Sequence, residues 1–309
     1  MAAALARVAV LMASYNGAAF IAEQMDSILS QTGVAVHVFV SDDGSSDDTL
    51  AILSRYPAEA VTLLPPARSG GAGQNFLRLL RDAPWQDFDF VAFSDQDDIW
   101  HPGKLARGTA RLMDEGYDAY SSNVTAFWPD GRRKLVDKAQ ARRRLDYLFE
   151  APGPGHTFIL TRDSAALVLD RLVAAGPDKT ARVALHDWLI YAILGAAGRR
   201  WLIDPHPSVD YRLHGNNVIG TGRDWATIRK RLSMLMGPWY RDQIVAIADV
   251  AQITGPEVDF MRAPRLWRLP HLLAHMTDYR RKRSEAAVLA AAFLVMAATS
   301  RHTDRQTHG

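Results

Sequence analysis

Two hydrophobic periods alternate through the first hundred residues. Short apolar runs bounded by turn residues occupy positions 8–13, 34–40, 61–64 and 89–93, and each predicts a buried strand. Between them the spacing changes to that of a helix. Residues 20–31 place Ile21, Met25, Ile28 and Leu29 on one face. Residues 47–56 begin with Asp47 as the expected N-cap before Leu50, Ile52 and Leu53. A third helix is expected over 75–80. Strand–helix alternation of this kind predicts an α/β fold, a mainly parallel sheet flanked by helices on both faces.

Past residue 100 the rhythm loosens. A helix is expected over 105–113 and one strand over 119–128, closed by the turn Pro129-Asp130-Gly131. The basic stretch 132–144 reads as a mobile loop over a site or a solvated helix face. Pro152-Gly153-Pro154-Gly155-His156-Thr157 is a stiff turn into a strand at 158–160, with a helix over 163–172 behind it. Asp187 stands at the start of the helix carrying 189–194, and a last strand is expected around 208–213. From about residue 221 basic residues mix with Trp and Met at helical spacing, and 286–299 is almost wholly apolar. That run is shorter than an ordinary membrane span. It fits a helix packed back on the core or a basic amphipathic region lying on an anionic membrane. The expected organisation is two halves, 1–100 and 101–220, followed by a helical C-terminal region over 221–309.

Composition changes little in this picture. The 309 residues are 48% apolar and 23% charged, with a net charge of +2, as expected of a soluble globular protein of one large or two ordinary domains. No cysteine is present, which removes disulfides, thiolate zinc sites and thiol nucleophiles and suits a reducing compartment. The first residues run straight into polar Ser14-Tyr15-Asn16-Gly17, so they are expected to form a strand and not a signal peptide. The basic stretches carry no recognised nucleic-acid motif.

The candidate chemistry lies where strands end. Polar clusters follow the strands at 14–16, 42–45, 70–75 and 95–98, so a parallel sheet gathers them at its carboxyl edge, where such sheets bind ligands. Asp95-Gln96-Asp97-Asp98 is the most demanding of them. Packed carboxylates repel at low dielectric, and a divalent cation with hard oxygen ligands relieves that repulsion. A solvated acidic loop, with Asp97 or Asp98 capping the next helix, is the plainer alternative. Asp42-Asp43-Gly44-Ser45 alone reads as a turn and cap, and Asp187 alone as a helix cap. The glycines at 70–73 lack both phosphate-loop and dinucleotide spacing, and the hydrolase Gly-x-Ser-x-Gly elbow is missing. His214 is an economical third ligand for a carboxylate pair.

Six motifs in order, Ser-Tyr-Asn-Gly, Asp-Asp-Gly-Ser-x-Asp-x-Thr, Asp-Gln-Asp-Asp-Ile-Trp, Gly-His-Thr, His-Asp-Trp and Tyr-Arg-x-His-Gly-Asn-Asn, resemble family 2 glycosyltransferases over roughly residues 7–220. The nearest likeness is to the bacterial rhamnosyltransferase branch of surface-polysaccharide and O-antigen assembly. The resemblance implies a GT-A nucleotide-diphospho-sugar transferase fold, with 1–100 the nucleotide-binding half and 101–220 the acceptor-binding half, and inversion at the anomeric carbon. It assigns Ser14, Tyr15, Asn16, Asp42 and Asp43 to the base and ribose. It gives Asp95 and Asp97 a divalent cation, Mn²⁺ or Mg²⁺, with His214 completing the metal shell. Asp98 and His156 fall to the donor pocket, Arg212 and Asn217 to phosphate binding or loop ordering, and Asp187 to the general base. The expected partners are a nucleotide-diphospho-sugar, with dTDP-rhamnose the first expectation, and a glycan or lipid-linked acceptor. The expected location is cytoplasmic, peripheral on the inner face of the membrane. Two rivals use the same residues, a catalytically inactive nucleotide-sugar-binding protein and a glycoside hydrolase with paired carboxyls.

Overall fold

The computed structural model describes residues 4–214 and 237–306. In chain order the strands are β1 (Ala6–Ser14), β2 (Val34–Asp42), β3 (Val61–Leu63), β4 (Phe90–Ser94), β5 (Ile99–Trp100), β6 (Ala119–Ser122), β7 (Val124–Phe127), β8 (Arg133–Val136), β9 (Ile159–Thr161), β10 (Trp201–Asp204) and β11 (Val209–Arg212). The helices are α1 (Ile21–Leu29), α2 (Thr49–Leu53), α3 (Ala72–Asp82), α4 (Lys104–Glu115), α5 (Asp146–Phe149), α6 (Arg162–Ala175), α7 (Pro177–Thr180) and α8 (His186–Ala196). After residue 236 come α9 (Pro238–Ala251), α10 (Pro256–Arg262), α11 (Leu269–Ala274) and α12 (Arg283–Gln306).

Seven strands form the main sheet in the order β10-β6-β9-β4-β1-β2-β3. All its pairs are parallel except those of β9, which runs antiparallel to β4 and β6. β1 is buried on both faces, as a continuous apolar run requires. Its Ala9, Leu11 and Ala13 join one core, with Phe76, Phe93 and Leu189, and its Val8, Val10 and Met12 join the other, with Ile21, Met25 and Ile28. The register pairs Ser14 with Asp42 and Met12 with Ser94, so the strand ends that carry the polar clusters are level along one edge.

A second sheet, β5-β11-β7-β8, stands beside that edge. β5 follows Asp98 directly and pairs antiparallel with β11, Val209 opposite Trp100 and Asp210 opposite Ile99. That pairing returns Arg212, Leu213 and His214 to the acidic loop.

Several expectations need correction. The strand expected over 119–128 is two strands in two sheets, β6 and β7, which part at Asn123. The Asn123 carboxamide accepts from the backbone N–H groups of Lys138 and Ala139 and donates to Asp137 and to the Pro205 carbonyl, so it anchors the break. Part of the stretch expected as a loop or helix face, 132–144, is β8, hydrogen-bonded to β7. The second helix is only Thr49–Leu53; its N-cap position is Asp48, and Asp47 accepts from the Thr49 N–H and from the Ala18 N–H, tying two loops together. The tail helices expected over 225–232 and from 234 lie outside the described residues until α9 begins.

The apolar run at 286–299 lies within α12 and packs on the molecule. Phe293 is fully buried among Phe149, Phe260 and Tyr279, with ring centroids 5.4–6.3 Å away. No described helix is long and apolar enough to cross a membrane. Phe293→Ala is expected to destabilise the chain by about 3–5 kcal/mol, read as a lowered urea midpoint, because it opens a cavity where the C-terminal helices meet the sheet domain.

Candidate active site

The strand β4 delivers three carboxylates into a loop that two histidines close. Asp98 is 1% exposed, while Asp97 and Asp95 open progressively toward solvent. His214 Nε2 lies 2.7 Å from Asp97 Oδ2. The imidazole of His156 is buried, with Nδ1 3.0 Å from Asp95 Oδ2 and 3.0 Å from Asp98 Oδ2. One N–H cannot serve both oxygens equally, and the hydrogen bond is made to Asp95. Asp95, Asp98 and His156 bring ligand atoms within 4.8 Å of one another.

The electrostatics follow from this crowding. Burial, with the charges of Asp95 and Asp98 added, pushes Asp97 up to about 6 in spite of its bond to His214. Burial also opposes the charge on Asp95, but the His156 hydrogen bond and charge prevail and hold it below the usual carboxylate range. At His156 burial disfavours the imidazolium, yet Asp98 and Asp95 outweigh it and raise the group to about 10.

Arg212 braces this loop from β11. Its backbone N–H donates to Asp98 Oδ1 at 3.1 Å and its Nε to the Asp97 carbonyl at 2.8 Å. The guanidinium lies 4.8 Å from the rings of both Phe20 and Phe127 and pairs with Glu23. His214 in turn stacks on Phe20 at 5.1 Å. Asn217 lies outside the described residues.

On the β1 and β2 side the polar residues mostly hold one another. Asp42 accepts from the Ser14 and Ser45 hydroxyls and from the Gly44 and Ser45 N–H groups, at 2.6–3.0 Å, which fills its four acceptor positions. Asp43 accepts from the N–H groups of Ser69, Gly70 and Gly71 and so ties the glycine loop ahead of α3. Asn16, at φ 47°, accepts from the Ser46 N–H and links the loops after β1 and β2. Tyr15 projects its ring into solvent, its backbone held at both ends by the Gln96 carboxamide at 2.8 and 2.9 Å. Gly17 is where Gln96 crosses, and a side chain there would collide with it.

Asp187 enters from α8. It is half-buried in the first turn, where Oδ1 accepts from the Trp188 N–H at 2.8 Å. Burial raises its carboxyl above the usual range, and the charge of Asp95 adds to the rise against the pull of His186 and that N–H. The turn before His156 passes hard against it. A Cβ at Gly155 would lie 2.5 Å from His186 Nε2 and 3.2 Å from Asp187 Cβ. Only glycine leaves room for the His156 turn and Asp187 to approach this closely.

Three residues of this neighbourhood carried too little signal in the sequence to be singled out. Gln96 was legible only as the spacer between acids. His186 stacks on Phe76 with centroids 4.0 Å apart, and burial lowers its pKa, so it is neutral beside Asp187. Lys104 is buried with Nζ 3.1 Å from the centre of the Trp100 ring and no hydrogen-bond partner, an arrangement that an ordinary surface-type lysine at a helix start does not announce.

Residues 9–167 match the family model described as "Glycosyl transferase family 2". The chain is 38% identical to the dTDP-rhamnosyl transferase RfbG of Shigella flexneri over 243 residues, 77% of this chain and 83% of that protein. It is 34% identical over 140 residues to an Escherichia coli protein, the UDP-Glc:alpha-D-GlcNAc-diphosphoundecaprenol beta-1,3-glucosyltransferase WfgD, covering 45% of this chain and 53% of the other. Among solved structures, S. aureus TarS 1-349 in complex with UDP-GlcNAc aligns with a TM-score of 0.54 at 17% identity, over 97% of this chain and 92% of that one. The Pyrobaculum calidifontis mannosyltransferase PcManGT, in complex with GDP-Man and Mn²⁺, aligns with a TM-score of 0.51 at 20% identity, over 96% and 88% of the two chains. The mixed sheet flanked by helices is thus a GT-A-like fold.

His156 provides a direct test of the cluster. Its folded-state pKa of about 10 exceeds the ordinary value of 6.5, so its contribution to stability is complete below about 6.5 and is lost as pH rises through about 10. The metal-free protein should show a His156 ring resonance that does not titrate between pH 6 and 8. Its urea-melt stability should decline from pH 7 to 10, with a smaller decline in His156→Asn.

Proposed function

The chain belongs to glycosyl transferase family 2, and from that premise we propose that it is an inverting, metal-dependent transferase of surface-polysaccharide synthesis. It would move a sugar from a nucleotide diphosphate to an acceptor hydroxyl. The observation that carries this reading is the carboxylate–histidine cluster at the carboxyl edge of the sheet, with a separate raised carboxyl, Asp187, across the Gly155–His156 turn.

The donor atoms suit a hard divalent cation. Three carboxylates crowd one loop, burial and its neighbours' charges raise Asp97, and His214 brings an imidazole nitrogen to Asp97. Asp95, Asp97 and His214 would hold Mn²⁺ or Mg²⁺, with Asp98 and His156 adjoining. When bound, the cation supplies Lewis-acid stabilisation of the charge that develops on the departing diphosphate. Tyr15, exposed beside the Ser14–Asn16 loop, offers a ring face to the base. The side chains of Asn16, Asp42 and Asp43 contribute by holding the loops that frame it. The dTDP-rhamnosyl transferase relative supports dTDP-rhamnose as the donor, and the diphosphoundecaprenol in the other relative's name supports a lipid-linked acceptor.

Asp187 is the general base of this reading. Its Oδ1 is engaged by the Trp188 N–H, and the carboxylate takes the acceptor proton as the hydroxyl attacks the anomeric carbon. A raised pKa brings the base nearer neutral pH. One such carboxylate suffices for a single displacement with inversion, and no covalent sugar–enzyme step is needed.

A cytoplasmic location with peripheral membrane contact accords with a lipid-linked acceptor. Its support is the rim around α11. Residues 260–277 contain no acid, and there Trp267 is 73% exposed beside exposed Leu266 and Leu273.

Asp187→Asn should bind donor with unchanged affinity while transfer falls by ~10²–10⁴-fold; transfer at the unmodified rate in a radiolabelled-sugar assay would reject the base. Binding of donor with neither transfer nor hydrolysis in the unmodified protein would favour the inactive binding protein instead. The cation should bind the deprotonated cluster, so calorimetric Mn²⁺ affinity is expected to fall about tenfold per unit as pH drops below about 6, the Asp97 midpoint, and to vary less with pH in Asp97→Asn.

A further inference from the structure

The turn that carries His156 is fixed at its other end by the C-terminal helices. Phe149, Glu150 and Ala151 precede the Pro152-Gly153-Pro154-Gly155 segment, and each is held from the region after residue 236. The Phe149 carbonyl accepts from the Tyr240 hydroxyl at 2.7 Å and from Arg280 Nη1 at 2.8 Å. The Glu150 carboxylate accepts from the Arg281 N–H at 2.7 Å. The Ala151 carbonyl accepts from Arg281 Nη2 at 2.7 Å. Arg281 also faces Asp146 at 3.4 Å, the two side chains 1% and 0% exposed. Asp146 is itself fastened by the Tyr191 hydroxyl of α8 at 2.9 Å.

Between Ala151 and His156 stand four residues, two of them prolines. Proline fixes φ at 152 and 154, and the Pro152 carbonyl accepts from the Ser121 hydroxyl and the Pro154 carbonyl from the Thr157 N–H and hydroxyl, so this link has little slack. At its far end Gly155 wedges against His186 and Asp187, and His156 reaches Asp95 and Asp98.

We propose that Arg281 is a positioning residue for the reaction: through the 149–155 strap it sets where His156 meets Asp95 and Asp98, and how closely Gly155 approaches Asp187. A buried ion pair is weak as a stabilising device, because desolvation offsets most of its attraction. The Arg281 guanidinium donates to the Ala151 carbonyl and to the Asp146 carboxylate and lies 3.2 Å from the Glu150 carboxylate, and that fork does specify geometry. The C-terminal region is therefore part of the active-site framework. The inference deepens the functional reading above and rests on the acid–histidine cluster being the donor site.

The test is Arg281→Lys in the full chain, which keeps the charge and loses the fork. Tyr240→Phe, which removes one hydroxyl and keeps the ring stacked on Trp188, carries the test if the first variant does not fold. Hydrogen exchange should quicken at the amides of 153 and 155–158 and stay unchanged in β1. The His156 ring resonance should shift. In turnover, kcat should fall roughly ten- to hundredfold, as misplacement by about an ångström does. Part of the effect should be absent when His156→Asn is already present, because the two changes share the His156 contact while the Gly155–Asp187 approach answers to Arg281 alone. Unchanged exchange over 153–158 with an unmoved His156 resonance overturns the proposal, as does a kcat loss that multiplies in full with that of His156→Asn. Exchange and resonance are read without substrate, so a failure of the transferase reading would leave them intact and be told apart.

Discussion

Like charge held at low dielectric is the constraint on which the rest of this molecule depends. Asp95, Asp97 and Asp98 leave a fully buried strand within four residues, and Asp98 is almost completely enclosed. Carboxylates so placed need positive partners or they protonate. The fold supplies the partners from far along the chain. His156 comes at the head of β9, which is antiparallel so that its start lies at the carboxyl edge of β4. His214 comes from the end of β11, which antiparallel pairing with β5 returns to the same loop. Two of the departures from a purely parallel architecture, β9 and the β5–β11 pair, are thus the ones that bring imidazoles to the acids.

The sequence showed the frame of this arrangement and little of its fastening. Strands at 8–13 and 89–93 were legible because both their faces are buried, which leaves a continuous apolar run, and the strand at 34–40 is enclosed in the same way only from Val38 onward. The approach of His214 to Asp97 was legible from a histidine in the loop after the last strand, and the structure places Nε2 2.7 Å from Oδ2. Asp42 was legible as a turn carboxylate, which supplies three of its four donors, but the Ser14 hydroxyl that completes the set comes from 28 residues away and left no mark in the sequence. The break at Asn123 was hidden for a related reason. Ser121, Ser122 and Asn123 are tolerable in a strand, and only the partners at 137–139 and 205 turn the asparagine into an anchor. Contacts separated by many residues leave no local period to read.

The C-terminal helices illustrate the same limit. Arg280 and Arg281 belong to a run that, read alone, is basic and suited to solvent or lipid. In the fold Arg281 is among the most enclosed charges of the molecule, and Arg280 pairs with Glu285 and with the Phe149 carbonyl. The exposed part of the region is the stretch around Trp267 instead. One compositionally uniform tail thus has an inward part that braces the sheet domain and an outward part that faces the surroundings.

The asparagine between β6 and β7 has a consequence for how such a chain can vary. One side chain accepts two N–H groups and donates two of its own, so aspartate, its nearest isostere, would lose both donors and set a second charge against Asp137. The position is thus closed to substitution. The strands it separates are correspondingly open. β8 joins the second sheet only through β7, and its residues are largely exposed. Length and sequence there can drift while the register of β1, β2 and β4 stays as it is. A pinned hinge beside an unconstrained edge lets the second sheet vary at its rim without disturbing the strands that carry the acids.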